Sequence, residues 1–219
     1  MTDEIINNPI RLQFITQRTP RYDELEGARE ALEGGCRWIQ LRMKDADADC
    51  ILLTGKKMRR LCDEYKAVLI LDDHVELVEE TGADGVHLGL KDMPINQARQ
   101  LLGKAKIIGG TANTTADILI HYQRGADYIG CGPFRFTTTK KNLSPTLGLD
   151  GYQHIAQETT RSQAGALPLI AIGGISKEDV EPILKTGMSG IAVSGSVLRA
   201  ADPASEVQNF VRIINRNGN

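Results

Sequence analysis

The chain has little of what would tie it to a secreted, zinc-stapled or membrane-spanning class. Its 219 residues include four cysteines, and Cys36, Cys50, Cys62 and Cys131 are spread without a CxxC pair. That spacing fits neither a disulfide framework nor a zinc ribbon and reads as reduced cytosolic thiols. No apolar run approaches the length of a bilayer span, and the N-terminal MTDEIINNPIRLQ carries acidic residues where a signal peptide has its apolar core. The expectation is a cytoplasmic protein with no membrane partner. An excess of charge of one sign is missing as well. Lysine and arginine number 26 against 28 aspartate and glutamate, a net charge of −2. This argues against a broad nucleic-acid footprint and leaves any anionic ligand to be bound locally. GxGxxG, GxxxxGK[ST] and HExxH are all absent, which weakens dinucleotide, P-loop and zinc-protease readings.

What is present is a rhythm. Hydrophobic residues make up 41% of the chain, and from Leu12 onward short β-branched segments alternate with longer amphipathic ones, the pattern of parallel strands joined by crossover helices. Strands are expected at 11–16, 37–42, 67–72, 84–88, 106–110, 127–130, 168–173 and 189–194, and helices near 22–33, 48–65, 74–81, 94–102, 114–124, 150–163, 177–186 and 203–215. Eight strands are the number of the (β/α)8 TIM barrel, and 219 residues suit one such domain with its core at about 11–215. An open doubly wound sheet would carry a glycine-rich turn after its first strand, where TQRTPRY stands instead. Ser176 with Asp179 resembles a capping box, and Asp202 before Pro203 reads as N-cap and first helical position. Gly34, Gly82, Gly125 and Gly187 follow helices as left-handed C-caps should. TGADGVHLG, RGADYIGCG and TGMSGIAVSG repeat one phrase, a helix-ending glycine just before a strand.

In a barrel the reactive groups gather at the C-terminal ends of the strands. Strand two ends in QLRMK, where Gln40, Arg42 and Lys44 alternate so that two cations and an amide share one side. This favours an anion site over a salt-bridged strand end. Strand three ends at Asp72 and Asp73 before His74, and Asp92 follows strand four. Carboxylates on adjacent strands can hold Mg²⁺ beside a diphosphate, although Asp73 and Asp92 would serve equally as helix caps. His74 reads as a solvated helix-start residue and His87 as a hydrogen-bonded core histidine. The loop after strand six, 131–148, is long and hydroxyl-rich. Thr137, Thr138, Thr139 and Lys140 suit a phosphate-binding lid. Gly173, Gly174, Ser194, Gly195 and Ser196 follow strands seven and eight, where many barrels hold a phosphate on backbone N–H groups. Two anion sites on one rim suit a reaction that joins two phosphorylated molecules.

With these residues assembled, the chain resembles the thiamine-phosphate synthase family. QLRMK at 40–44, LDDH at 71–74, GADGVHLGLKD at 82–92, GADYIGCGP at 125–133, TTTKK at 137–141 and IAIGGI at 170–175 occur in the family's order and at similar spacings. The resemblance implies a Mg²⁺-dependent transferase that couples an aminopyrimidine methyl diphosphate to a thiazole phosphate and releases pyrophosphate. It implies that Gln40, Arg42, Lys44 and Lys140 bind the diphosphate, that Asp73 and Asp92 hold Mg²⁺, and that Thr137, Thr139, Gly174 and the strand-eight loop with Ser194 and Gly195 hold the thiazole phosphate. Arg42, Lys44 and Lys140 would be the catalytic cations. The chain departs from the family at Asp72, where Asn is usual, at Leu90 for Gln, at Thr111 for Ser with the hydroxyl kept, and in the SGS after strand eight. Asp72 adds a negative charge beside a diphosphate site, tolerable if that charge is neutralised. A thiazole tautomerase-like enzyme and a non-catalytic phosphate-binding barrel are the rival readings, and the cations, carboxylates and TTTKK favour the synthase. The implied partners are small molecules.

Overall fold

The computed structural model describes residues 11–136 and 144–217. Eight strands, β1 (Leu12–Ile15), β2 (Trp38–Leu41), β3 (Val68–Asp72), β4 (Gly85–Leu88), β5 (Ile107–Ala112), β6 (Tyr128–Cys131), β7 (Leu169–Ile172) and β8 (Gly190–Val193), pair in chain order. All are parallel, and β8 pairs with β1 to close the barrel. The expected (β/α)8 TIM barrel is therefore what the chain forms. Around it run α1 (Glu24–Glu33), α2 (Ala48–Glu64), α3 (Val78–Thr81), α4 (Ile95–Leu102), α5 (Thr115–Gln123), α6 (Gly148–Thr160), α7 (Val180–Lys185), α8 (Gly195–Leu198) and α9 (Pro203–Arg216). Single 3-10 turns at Val75–Leu77 and Lys177–Asp179 lead into α3 and α7. No helix among the described residues is long and apolar enough to cross a membrane.

Local chemistry starts the helices where the chain needs to turn back. Asp23 accepts from the Glu26 N–H while Glu26 accepts from the Asp23 N–H, and Thr114 and Asp117 do the same for α5. Asp202 caps α9 with Pro203 in its first turn, and Asp179 accepts from both the N–H and the hydroxyl of Ser176. α6 stops at Thr160, short of the expected 163, where the Ser162 hydroxyl takes the Thr159 carbonyl that a continuing helix would use. α8 lies outside the expected helices because four residues show no periodicity.

Gly34 corrects an expectation. Gly82, Gly125 and Gly187 end their helices in the left-handed conformation, at φ of 72°, 89° and 102°, but Gly34 is right-handed at −70° and the left-handed residue is Gly35 at 96°. A Cβ on Gly34 would lie 2.5 Å from Ala204 O and from Val207 Cβ. Gly34 is therefore needed for space, because the end of α1 meets the start of α9 there.

The period of two along each strand divides the core into an inner and an outer part. Ile15, Trp38, Val68, Ile70, Tyr128 and Ile170 fill the barrel, while the alternate residues Ile39, Leu69, Leu71, Ile108 and Ile191 join the shell beneath the helices. Tyr128 is the bulkiest filler after Trp38, with which it makes an edge-on contact at 4.8 Å between ring centroids. Its ring fits because the facing residue of β5 is glycine: a Cβ on Gly109 would stand 2.5 Å from Tyr128 Oη. Gly109→Ala is therefore expected to lower stability by about 1–3 kcal/mol, read from the urea midpoint. An unchanged midpoint would show that the ring can step aside.

Candidate active site

The inner face of β2 continues from Trp38 through Gln40 to Arg42 at the barrel mouth, and β3 presents Asp72 beside them. Register makes this meeting inevitable: Gln40 and Leu41 pair with Ile70 and Leu71, so the next residues of each strand are neighbours. Gln40 Nε2 donates to Asp72 Oδ1, and Arg42 Nε lies 3.3 Å from Asp72 Oδ2. The extra negative charge at Asp72 is thus matched inside the rim by a guanidinium and an amide. Gln40 Oε1 is buried and has no hydrogen-bond partner among the described residues. Lys44 lies beyond the strand, exposed in a turn closed by the Ala46 N–H on Met43 O. Strand alternation therefore does not extend to it.

Asp73 follows with φ at 68°, a left-handed conformation that aspartate tolerates better than most residues yet which still stores strain. Its N–H is held by the carbonyl of His87 on β4, and its side chain meets that of Asp92. Burial, the charge of Asp72 and the contact with Asp92 push the Asp73 carboxyl up to about 7, against the opposing pull of Arg42. Asp92 is tied down separately, its Oδ2 accepting from Gly89 N–H at 2.6 Å. Neither aspartate caps a helix: His74 and Pro94 are the N-caps, with no side-chain cap bond at either. His74 is half-exposed and pairs with Glu76. Two carboxylates forced together share a proton or invite a cation. Magnesium takes one or two protein carboxylates and fills its shell with water and phosphate oxygens, so this donor pair fits it. No group of three or more His, Cys, Asp and Glu side chains that could hold a metal is found among the described residues.

On the next strands, His87 is a buried, bonded histidine, with Nδ1 3.0 Å from Tyr128 Oη and Nε2 3.0 Å from Thr111 Oγ1. β5 runs two residues past its expected end, to Ala112, which brings Thr111 to the rim on the inner parity of Gly109.

The far side of the rim is built from backbone. Gly173 and Gly174 have φ of 102° and 68°. The N–H groups of Gly174, Gly195 and Ser196 make no hydrogen bond to a described residue. Ser194 Oγ reaches Gln17 Oε1 at 3.4 Å. A Cβ on Gly195 would collide with the Arg199 guanidinium, which folds back over that corner. Arg135 fastens the root of the strand-six loop to this side, donating to Gly174 O and to both oxygens of Asp179 while stacking over Phe134. Thr137, Thr138, Thr139 and Lys140 lie outside the described residues.

Gln40, Arg42, Asp72, Asp73 and Asp92 thus form one cluster, with Thr111 next to it through His87. Gly174, Ser194 and Gly195 stand at the ends of the two strands that follow β6. The sequence reading missed Arg135, Arg199 and the Tyr128–His87 contact. The first two carry no signal beyond a lone arginine in a polar loop.

A closed barrel with its polar side chains gathered at the C-terminal strand ends places the chain among the (β/α)8-barrel enzymes. A family model described as thiamine monophosphate synthase matches residues 12–197. A thiamine-phosphate synthase of Bacteroides thetaiotaomicron is 58% identical over 208 residues, covering 94% of this chain and 99% of that one. Its counterpart in Phocaeicola vulgatus is 55% identical over 204 residues, covering 93% and 98%. Among solved structures, a thiamine phosphate pyrophosphorylase from Pyrococcus furiosus superposes with a TM-score of 0.85 at 35% identity, covering 97% of this chain and 98% of that one. The chain belongs to the thiamine monophosphate synthase family, and its activity is the family's transferase reaction, synthesis of thiamine phosphate. The tautomerase-like and binding-only readings give way to it.

Proposed function

We propose that the reaction joins an aminopyrimidine methyl diphosphate to a thiazole phosphate with the help of Mg²⁺, and that it takes place in the cytoplasm. The observation that carries this reading is the contact of Asp73 with Asp92 beside the Arg42–Asp72 pair. Negative charge crowded to this degree calls for a cation, and a cation there lies next to donors suited to a diphosphate. Bound Mg²⁺ would supply charge neutralisation for the departing diphosphate.

The protein's own groups do the rest. Arg42, Lys44 and Lys140 hold the diphosphate oxygens and stabilise the charge that grows on them as the bond from oxygen to the methylene carbon breaks with its electron pair. Gln40 Oε1, without a hydrogen-bond partner among the described residues, is an acceptor suited to the pyrimidine's amino group. The electron-rich pyrimidine spreads the positive charge of the methylene carbon until the thiazole nitrogen donates its lone pair to form the new carbon–nitrogen bond. Gly174, Ser194, Gly195, Thr137 and Thr139 hold the thiazole phosphate so that nitrogen and carbon face each other. Rate then comes from placement and electrostatics, with no protein nucleophile. Asp72 acts indirectly by keeping Arg42 and Gln40 in position.

Purified protein incubated with both substrates is expected to yield thiamine phosphate, quantified as fluorescent thiochrome after oxidation. Product is expected to fall to background with EDTA and to return on adding Mg²⁺. Binding of both substrates without product would sink the proposed chemistry, and metal-independent turnover would sink the role of Asp73 and Asp92.

A further inference from the structure

One buried polar chain runs up the inside of the barrel to the rim, and its hydrogen-bond directions can be worked out from its bottom end. Gln13 Nε2 lies 3.3 Å from Tyr128 Oη, and an amide nitrogen only donates, so Tyr128 accepts there. The phenol is left with one proton to place. Its other neighbour is His87 Nδ1 at 3.0 Å, and a buried hydroxyl proton with no acceptor is costly. Tyr128 therefore donates to Nδ1, and the ring proton of the neutral imidazole must sit on Nε2. That N–H points at Thr111 Oγ1, 3.0 Å away, and occupies it as an acceptor. No other hydrogen bond to the Thr111 side chain is formed among the described residues, so its hydroxyl proton remains to be given outward at the mouth.

From this geometry we infer that Tyr128 is a positioning residue for the synthase reaction: it fixes the Nε2–H tautomer of His87 and thereby makes the Thr111 hydroxyl a hydrogen-bond donor to the bound substrate. The surroundings commit the barrel to this arrangement. Tyr128 is fully enclosed, and its hydroxyl is kept protonated by burial. Gly109 and Gly130 leave room for the two rings: a Cβ on Gly109 would meet the phenol, and one on Gly130 would come 3.0 Å from His87 Cε1. A phenylalanine would fill the same space, so the hydroxyl matters for its proton. The role of Thr111 rests on the substrate site proposed above, whereas the tautomer does not.

The test combines two readouts on the full chain. With ¹⁵N-labelled histidine, NMR of the substrate-free protein is expected to show His87 protonated at Nε2, and Tyr128→Phe is expected to abolish that preference. The same variant is expected to lose about tenfold in kcat, the worth of one well-placed hydrogen bond, with KM for both substrates changing far less. Thr111→Val is expected to lose as much, and the double variant no more than either alone, because both break one chain. Should Tyr128→Phe fail to fold, Gln13→Met replaces it: removal of the lower donor lets the phenol accept from Nδ1, and a mixed tautomer is expected. A wild-type tautomer in whichever variant folds overturns the inference, as does a multiplicative loss in the double variant. Because the imidazole signals are read without substrate, they test the tautomer even if the proposed substrates were wrong.

Discussion

Arg42→Ala is expected to lower kcat/KM on the order of 10²–10³-fold, the effect of removing a charged donor from developing anionic oxygen. Two losses would act together. In the proposed site the diphosphate would lose a guanidinium, and Asp72 would lose the arginine it is paired with at the rim. Because Asp72 already pushes the Asp73 carboxyl up and Arg42 opposes it, the variant is expected to bind Mg²⁺ more weakly at neutral pH as well. Arg42→Lys is expected to recover only part of the activity, since an ammonium cannot serve a carboxylate and a phosphate oxygen through a planar fork. Steady-state kinetics with thiochrome detection decides, and a loss of threefold or less would remove Arg42 from the mechanism.

The second large effect is one of pH. With the Asp73 carboxyl raised from 3.8 to about 7, the folded protein holds a proton that the unfolded chain releases between those two values. The metal-free protein therefore has this contribution to stability in full below about pH 4 and loses it as pH rises through 7. Magnesium bound at the proposed Asp73–Asp92 site would compete with that same proton. Its affinity is expected to climb about tenfold per pH unit below 7 and to level off above, so the thermal shift on adding Mg²⁺ is larger at pH 8 than at pH 6. Asp72→Asn removes one cause of the raised pKa and is expected to move the midpoint of this climb to lower pH. A thermal shift equal at pH 6 and pH 8 would show that Asp73 does not bind the ion.

Much of this architecture was readable from the sequence because each βα unit carries its own punctuation. Gly82, Gly125 and Gly187 mark helix ends just before strands, and the strands between them are apolar on both faces, as a barrel covered by helices requires. The rim cluster was legible as a list of residues but not as pairs. Arg42 and Asp72 meet through strand register across 30 positions, and local patterns carry no record of register. Gly34 misled because a glycine after a helix has two uses, a left-handed turn or a close approach, and its neighbour Gly35 took the first. The role of Tyr128 left no local signal, because the partner that gives its hydroxyl a purpose is 41 positions away on another strand.

The pairing of β1 with β8 sets a condition on how the molecule is made. Leu12, Gln13 and Phe14 lie against Ile191, Ala192 and Val193, so during synthesis β1 keeps one edge uncovered until β8, some 175 residues later, has followed. Gly34 extends that wait, since the end of α1 meets Ala204 and Val207 only when α9 has been made. Synthesis thus passes through a long interval in which a growing, open sheet carries a bare, sticky margin, the state in which barrels are most exposed to aggregation and most in need of chaperones.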